Sequence, residues 1–173
     1  MMKKRQIGKA ALISMLCVAL AASAAYALGE KAPAFSLKDA SGKPYAMSQY
    51  VGKKAVLMSF WASWCKPCIL EMPMLEEMYV KYKDKGFEIL SINTDNSSGL
   101  AKARQIVKRK RITYPVLYDT DSKVTGLYNP KSAFPFVVLV DKAGKIQYTH
   151  EGFAAGDEIE LEKEIEKAIA GDK

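Results

Sequence analysis

The stretch from Ala55 to Gly86 constrains the fold more tightly than any other part of the chain. It opens on AVLMSF, Ala55 to Phe60, a continuous apolar run that reads as a strand buried on both faces. It ends on ILEMPMLEEMYVKYKDKG, where Ile69, Met72, Leu75, Met78, Tyr79 and Tyr82 recur at helical spacing and Gly86 closes the helix. Pro73 inside that helix is expected to bend it. Between strand and helix lie Trp64, Cys65, Lys66, Pro67 and Cys68. The two thiols therefore stand at a strand-to-helix corner.

That corner suits reversible sulfur chemistry. Side chains at i and i+3 of a helical turn have Cβ atoms about 5–6 Å apart. A modest rotamer change brings such a pair within disulfide range. Pro67 fits the first turn, where its missing N–H would find no partner anyway. The N–H groups and dipole of a helix start favour an anion, and Lys66 adds to them. Such sites lower a cysteine pKa from about 8.5 to between about 3.5 and 7.5. Cys65 is expected to be the exposed attacking thiol. Cys68, one turn in, is expected to be buried and to resolve the mixed disulfide. Trp64 is expected to roof the pair and limit solvent.

The rest of the chain alternates strands and helices. Phe35 to Lys38 and Pro44 to Met47 flank DASGK and read as a β-hairpin. FEILSIN, Phe87 to Asn93, is a strand, and SSGLAKARQIVKRK is a helix with a serine near its start. YPVLYD, Tyr114 to Asp119, is a short strand, and DSKVTGLY is a short helix or helical turn. FVVLVD, Phe136 to Asp141, and KIQYTH form a second hairpin through KAG. Asp157 is expected to cap a last helix, EIELEKEIEKAIA, whose Ile159, Ile165 and Ile169 face the sheet. The pattern predicts an α/β domain: a central mixed sheet with helices on both faces and an N-terminal β-hairpin.

A length of 173 residues suggests one domain plus an appendage. The appendage is residues 1–27. Lys3, Lys4, Arg5 and Lys9 precede an apolar run that ends in Ala25-Tyr26-Ala27, a small-x-small cleavage pattern. It reads as a signal peptide. The rival is an uncleaved membrane anchor over residues 10–27, since the run is about long enough to span a bilayer. Cys17 belongs to this segment, and Leu16 before it argues against lipid attachment. Residues 28–173 form the domain, on the outer side of the cytoplasmic membrane, the periplasm in a bacterium with two membranes. Disulfides form there. The formal net charge of +7 falls to about +3 once the first 27 residues are set aside. The remaining basic cluster, Lys102 to Arg111, reads as the solvated face of a helix with Ile106 and Val107 turned inward. No aromatic residues are interleaved for base stacking, so no nucleic-acid partner is expected.

Other uses of the thiols fit less well. A zinc site needs four ligands, and beyond residue 27 the chain offers two cysteines and a single distant histidine, His150. A c-type haem site needs histidine directly after the second cysteine, where Ile69 stands. A staple across so tight a loop is rare. His150 reads as structural or merely exposed. Met72, Met74 and Met78 could suggest copper, but helix packing accounts for them. No metal and no cofactor is expected. Two readings stay beside redox exchange: a copper-delivery module using the same thiols, and a thiol peroxidase.

FWASWCKPCILEMPMLEEMYVKYKDKGFEILSIN, with GEKAPAFSLKDASGK before it and FPFVVLVDKAGKI after it, resembles the TlpA/ResA/CcmG group of extracytoplasmic thiol-disulfide oxidoreductases. The resemblance runs from about Leu28 to Ala170. It implies a thioredoxin-like fold in which Pro135 is a cis-proline facing the cysteine pair. Phe134 would then offer its backbone to an extended substrate, where many relatives carry a smaller residue. The segment from Tyr128 to Pro135 is one residue longer than the group's pattern leads one to expect. Cytoplasmic thioredoxins carry an aspartate six positions before the first cysteine, and here Ser59 holds that place. Glu71 matches the acidic residue of the ResA-like branch, and a partly buried carboxylate there could relay the Cys68 proton. The bland reading of Glu71 is a solvent-facing helix glutamate. The resemblance further implies substrates that are disulfides in exported proteins, such as apocytochrome c or an oxidase copper site, with Trp64, Pro67 and Phe134 at the docking surface. It also implies a membrane-bound thiol electron donor.

Overall fold

The computed structural model describes residues 28–171. The signal or anchor reading of residues 1–27 lies outside them. Among the described residues no helix is long and apolar enough to cross a membrane.

A short antiparallel hairpin, β1 (Ser36–Lys38) and β2 (Pro44–Ala46), leads the domain. Asp39 closes its turn: its Oδ1 accepts from the backbone N–H of Ser41 at 2.8 Å and of Lys43 at 3.0 Å. The main sheet follows, with β3 (Ala55–Trp61), β4 (Phe87–Asn93), β5 (Val116–Tyr118), β6 (Phe136–Val140) and β7 (Ile146–Glu151) in the order β5-β4-β3-β6-β7. β4 runs parallel to both β3 and β5, while β6 runs antiparallel to β3 and β7. The sheet is therefore mixed, with the apolar runs of β3 and β4 at its centre, buried along their whole length.

Helices cover both faces. On one face α1 (Lys66–Tyr82), α2 (Leu100–Lys110) and α4 (Asp157–Ala170) share a core with Leu57, Trp61, Ile89 and Leu139. On the other, α3 (Lys123–Tyr128) and the N-terminal hairpin cover Met58, Phe60, Leu90 and Val138. Alternate residues of β3 feed the two cores, as period-2 alternation requires.

Several local expectations need correction. α1 starts at Lys66 with Pro67 in its first turn, as expected, and carries Pro73 inside it; the departures lie in α2 and α4. Pro73 is exposed, so water can serve the carbonyl left without its donor. α2 starts at Leu100 after Gly99, not at the serines: Ser98 turns its N–H and hydroxyl to Asn96 instead. A Cβ on Gly99 would stand 2.8 Å from Asp95 Cβ, which explains the glycine. Gly156, not Asp157, occupies the capping position of α4. Its buried stripe is Leu161, Ile165 and Ala168, and Ile159 is 73% exposed. Six residues before Ile165 is about 120° around the helix, so Ile159 cannot share that stripe.

Candidate active site

The disulfide stands where the sequence pattern puts it, at the C-terminal end of β3 and the first turn of α1. Cys65 and Cys68 are bonded, with Cα atoms 5.4 Å apart. Cys65 is the N-terminal capping residue of α1 in extended conformation, and its Sγ accepts from the Cys68 N–H at 3.3 Å. In the reduced state the same N–H and the helix dipole favour a thiolate on Cys65. The Ala62–Trp64 loop that delivers Cys65 is pinned from β4's end. Asp95 accepts the Ser63 N–H at 2.8 Å and the Ser63 hydroxyl at 3.2 Å, and Asn93 Nδ2 steadies it at 2.8 Å.

Exposure around the pair departs from expectation. Cys65 is only 5% exposed and Cys68 1%, so in the disulfide form neither sulfur is open. Trp64 is 64% exposed and meets the Phe134 ring edge-on at 5.7 Å. Pro67 lies exposed on the first turn.

Phe134 and Pro135 reach the site from the β6 side. The Phe134–Pro135 peptide bond is cis. Asn129 fixes the loop before it: its Nδ2 donates to the Ala133 carbonyl at 2.6 Å and its Oδ1 accepts the Ala133 N–H at 3.1 Å. The Pro135 carbonyl accepts from the Gly152 N–H at 2.8 Å. Behind that loop, Asp119 receives the N–H groups of Val124 and Thr125 and so seats α3.

Glu71 is buried, at 3% exposure, one turn beyond Cys68. Burial pushes its carboxyl up to about 8; the Ser59 hydroxyl opposes this by hydrogen bonding, and the Asp157 charge adds to it. Ser59 is itself buried. The carboxyl thus faces the very strand position where cytoplasmic thioredoxins carry their aspartate. A carboxyl that titrates near neutrality, one helical turn from Cys68, has both its forms populated there and can take up and return a proton.

Three features escaped the sequence reading. Asp95 and Asn129 position the two active-site loops, but an acid in a loop and an asparagine after a short helix carry no signal of their own. Leu70 is 65% exposed beside Pro67 on α1. It falls off the buried stripe of Cys68, Glu71, Met72 and Leu75, and that periodicity could have revealed it. Among the described residues no group of three or more His, Cys, Asp or Glu could hold a metal ion.

Comparison with known proteins accords with this geometry. Residues 28–149 match the AhpC/TSA family. The thiol-disulfide oxidoreductase ResA of Bacillus cereus is 38% identical over 119 residues, 69% of this chain and 66% of that protein. ResA of Geobacillus kaustophilus is 35% identical over 136 residues, 79% of this chain and 76% of that protein. Among solved structures, a Chlorobium tepidum protein described as a thiol:disulfide interchange protein DsbE superposes with a TM-score of 0.76 at 32% identity, over 83% of this chain and 98% of that one. A thiol:disulfide interchange protein from Bacteroides sp. gives a TM-score of 0.70 at 28% identity, over 86% of this chain and 94% of that one. The fold is thioredoxin-like, and the chain belongs to the AhpC/TSA family, among its ResA-like thiol-disulfide oxidoreductases.

Proposed function

We propose that the protein is an extracytoplasmic reductase of disulfides in exported proteins. The observation that carries this reading is the Cys65–Cys68 disulfide at the start of α1 with a buried carboxyl, Glu71, one turn beneath it. Reduced Cys65 attacks a substrate disulfide as the thiolate, forming a mixed disulfide and expelling one substrate thiolate. Cys68 then passes its proton to Glu71 and attacks Cys65 Sγ. The second substrate thiolate leaves, and the two electrons have moved to the substrate. Re-reduction runs the same steps in reverse, from a thiol donor in the membrane.

Substrate docks as an added strand beside the cis-Pro135 loop, where no hydrogen bond among the described residues engages the main chain of Phe134. Trp64, Pro67 and Phe134 supply the apolar contact. The signal-like pattern of residues 1–27 supports a location beyond the cytoplasmic membrane. The substrates proposed are thiol pairs awaiting a metal or haem, such as apocytochrome c or an oxidase copper site.

The test is the reduction potential of the Cys65–Cys68 couple. A value near that of thioredoxin, about −270 mV, fits a reductase; a value near about −120 mV reverses the direction. Cys65→Ser is expected to abolish insulin-disulfide reduction, while Cys68→Ser is expected to trap substrate as a stable mixed disulfide. A Cys68→Ser variant that captures no exported thiol protein in its own cells counts against the substrate assignment.

A further inference from the structure

Glu71 is sealed from bulk water, yet a proton relay needs a way out. Across the sheet, Ser59 of β3 pairs with Val137 of β6, and Val137 pairs with His150 of β7. The three side chains share one face, so His150 stands about 10 Å from Ser59, two strand spacings away. A narrow cleft borders Val137 and His150 of this row; Glu71 lines it too, with Met74, Phe153 and Asp157 among the rest of its wall. It has room for about one water-sized sphere.

His150 stands at the outer end, partly open to solvent. Its Nε2 lies 3.1 Å from Asp157 Oδ2, whose side chain is partly open as well. Its ring stacks on Tyr148 with the planes 5° apart. Asp157 is fixed in turn by the Ala154 N–H at 2.7 Å. With Nε2–H donated to Asp157, the imidazole keeps a lone pair on Nδ1 as an acceptor. The titratable groups around the imidazole are Asp157 from α4 and Tyr148 from its own strand, both in contact with it, and Glu71 from α1, which shares the cleft wall. No lysine or arginine lines the cleft.

We propose that His150, oriented by Asp157, is the solvent-side proton exchanger for Glu71. The proposal rests on the reading of Glu71 as proton acceptor from Cys68. During substrate reduction, Cys68–SH gives its proton to the Glu71 carboxylate, Glu71 passes it through the cleft to neutral His150, and imidazolium releases it to water. During re-reduction, the proton returns by the same route as the Cys65–Cys68 bond breaks and Cys68 leaves as a thiolate. His150 touches neither sulfur, so it is a positioning and proton-exchange residue rather than a catalytic one.

The two steps can be watched separately in the reduced full-length protein carrying Cys17→Ser. A small aromatic disulfide, 5,5′-dithiobis(2-nitrobenzoate), releases one coloured thiolate on attack by Cys65 and a second on attack by Cys68. In dilute buffer, His150→Gln is expected to leave the first release unchanged and slow the second about tenfold. Added imidazole is expected to restore it. Glutamine keeps a hydrogen bond to Asp157 but carries no exchangeable charge, so a purely structural role predicts a normal second release. A normal second release in His150→Gln, or a slow one that imidazole leaves slow, overturns the proposal. Glu71→Gln is expected to slow the second release without imidazole rescue. If Glu71→Gln leaves it unchanged, the reading of Glu71 fails and takes this proposal with it. If only Glu71→Gln is slow, the relay stands and the exit through His150 does not.

Discussion

Glu71 is the residue whose surroundings most alter its chemistry. Its ordinary value of 4.5 rises to about 8 because burial penalises the charged form. Between those values the folded protein holds a proton that the unfolded chain has lost. Stability therefore falls as pH rises through this window, by up to about 1.4 kcal/mol per pH unit, and is greatest below the lower value. Glu71→Gln is expected to remove that slope, since the carboxamide does not titrate. Urea unfolding of the oxidised protein across the window measures it; an equally steep decline in Glu71→Gln would sink the assignment. The cysteine pair was legible in the sequence because spacing alone fixes its geometry at a helix start. The burial of Glu71 was legible only through family resemblance. The contact of His150 with Asp157 was not legible, because the two come from different elements.

At the scale of elements, the central strands were readable because β3 and β4 are unbroken apolar runs buried throughout. Ends were read less well, since they are set by single contacts: the start of α2 by the fit of Gly99 against Asp95, the start of α4 by Gly156. α4 shows what fixes the inner face. Ile165 is fully buried while Ile159 is 73% exposed, although both looked alike as isoleucines in one amphipathic helix. Ile165→Ala is expected to cost about 2–5 kcal/mol. Ile159→Ala is expected to stay within about 0.5 kcal/mol. Chemical denaturation of the two variants decides, and similar losses would mean that α4 packs on a different stripe.

At the scale of the whole molecule, both cores are built on one sheet, and the disulfide emerges at a single end of it. That placement leaves apolar side chains open near the disulfide in sequence: Trp64 is 64% exposed and Leu70 65%, with Pro67 between them and open as well. Lone exposed apolar residues need no explanation, but several close to a reactive pair mark a contact surface. Trp64 lies on the loop before α1 and Pro67 and Leu70 on α1, while the Phe134 main chain, which no hydrogen bond among the described residues engages, lies on the loop before β6. A protein substrate can lie across both, whereas a small disulfide needs neither. Leu70→Ser is therefore expected to raise KM for a protein disulfide about tenfold, a loss of about 1.4 kcal/mol in binding, with kcat little changed. Trp64→Ala is expected to do the same and to loosen Phe134, its edge-on partner. Both losses should be much smaller with a disulfide of a few atoms. Parallel steady-state assays with insulin and with oxidised glutathione make the comparison. Equal losses on both substrates would place Trp64 and Leu70 in the chemistry of Cys65 instead of in recognition, and would move the docking surface elsewhere on this end of the sheet.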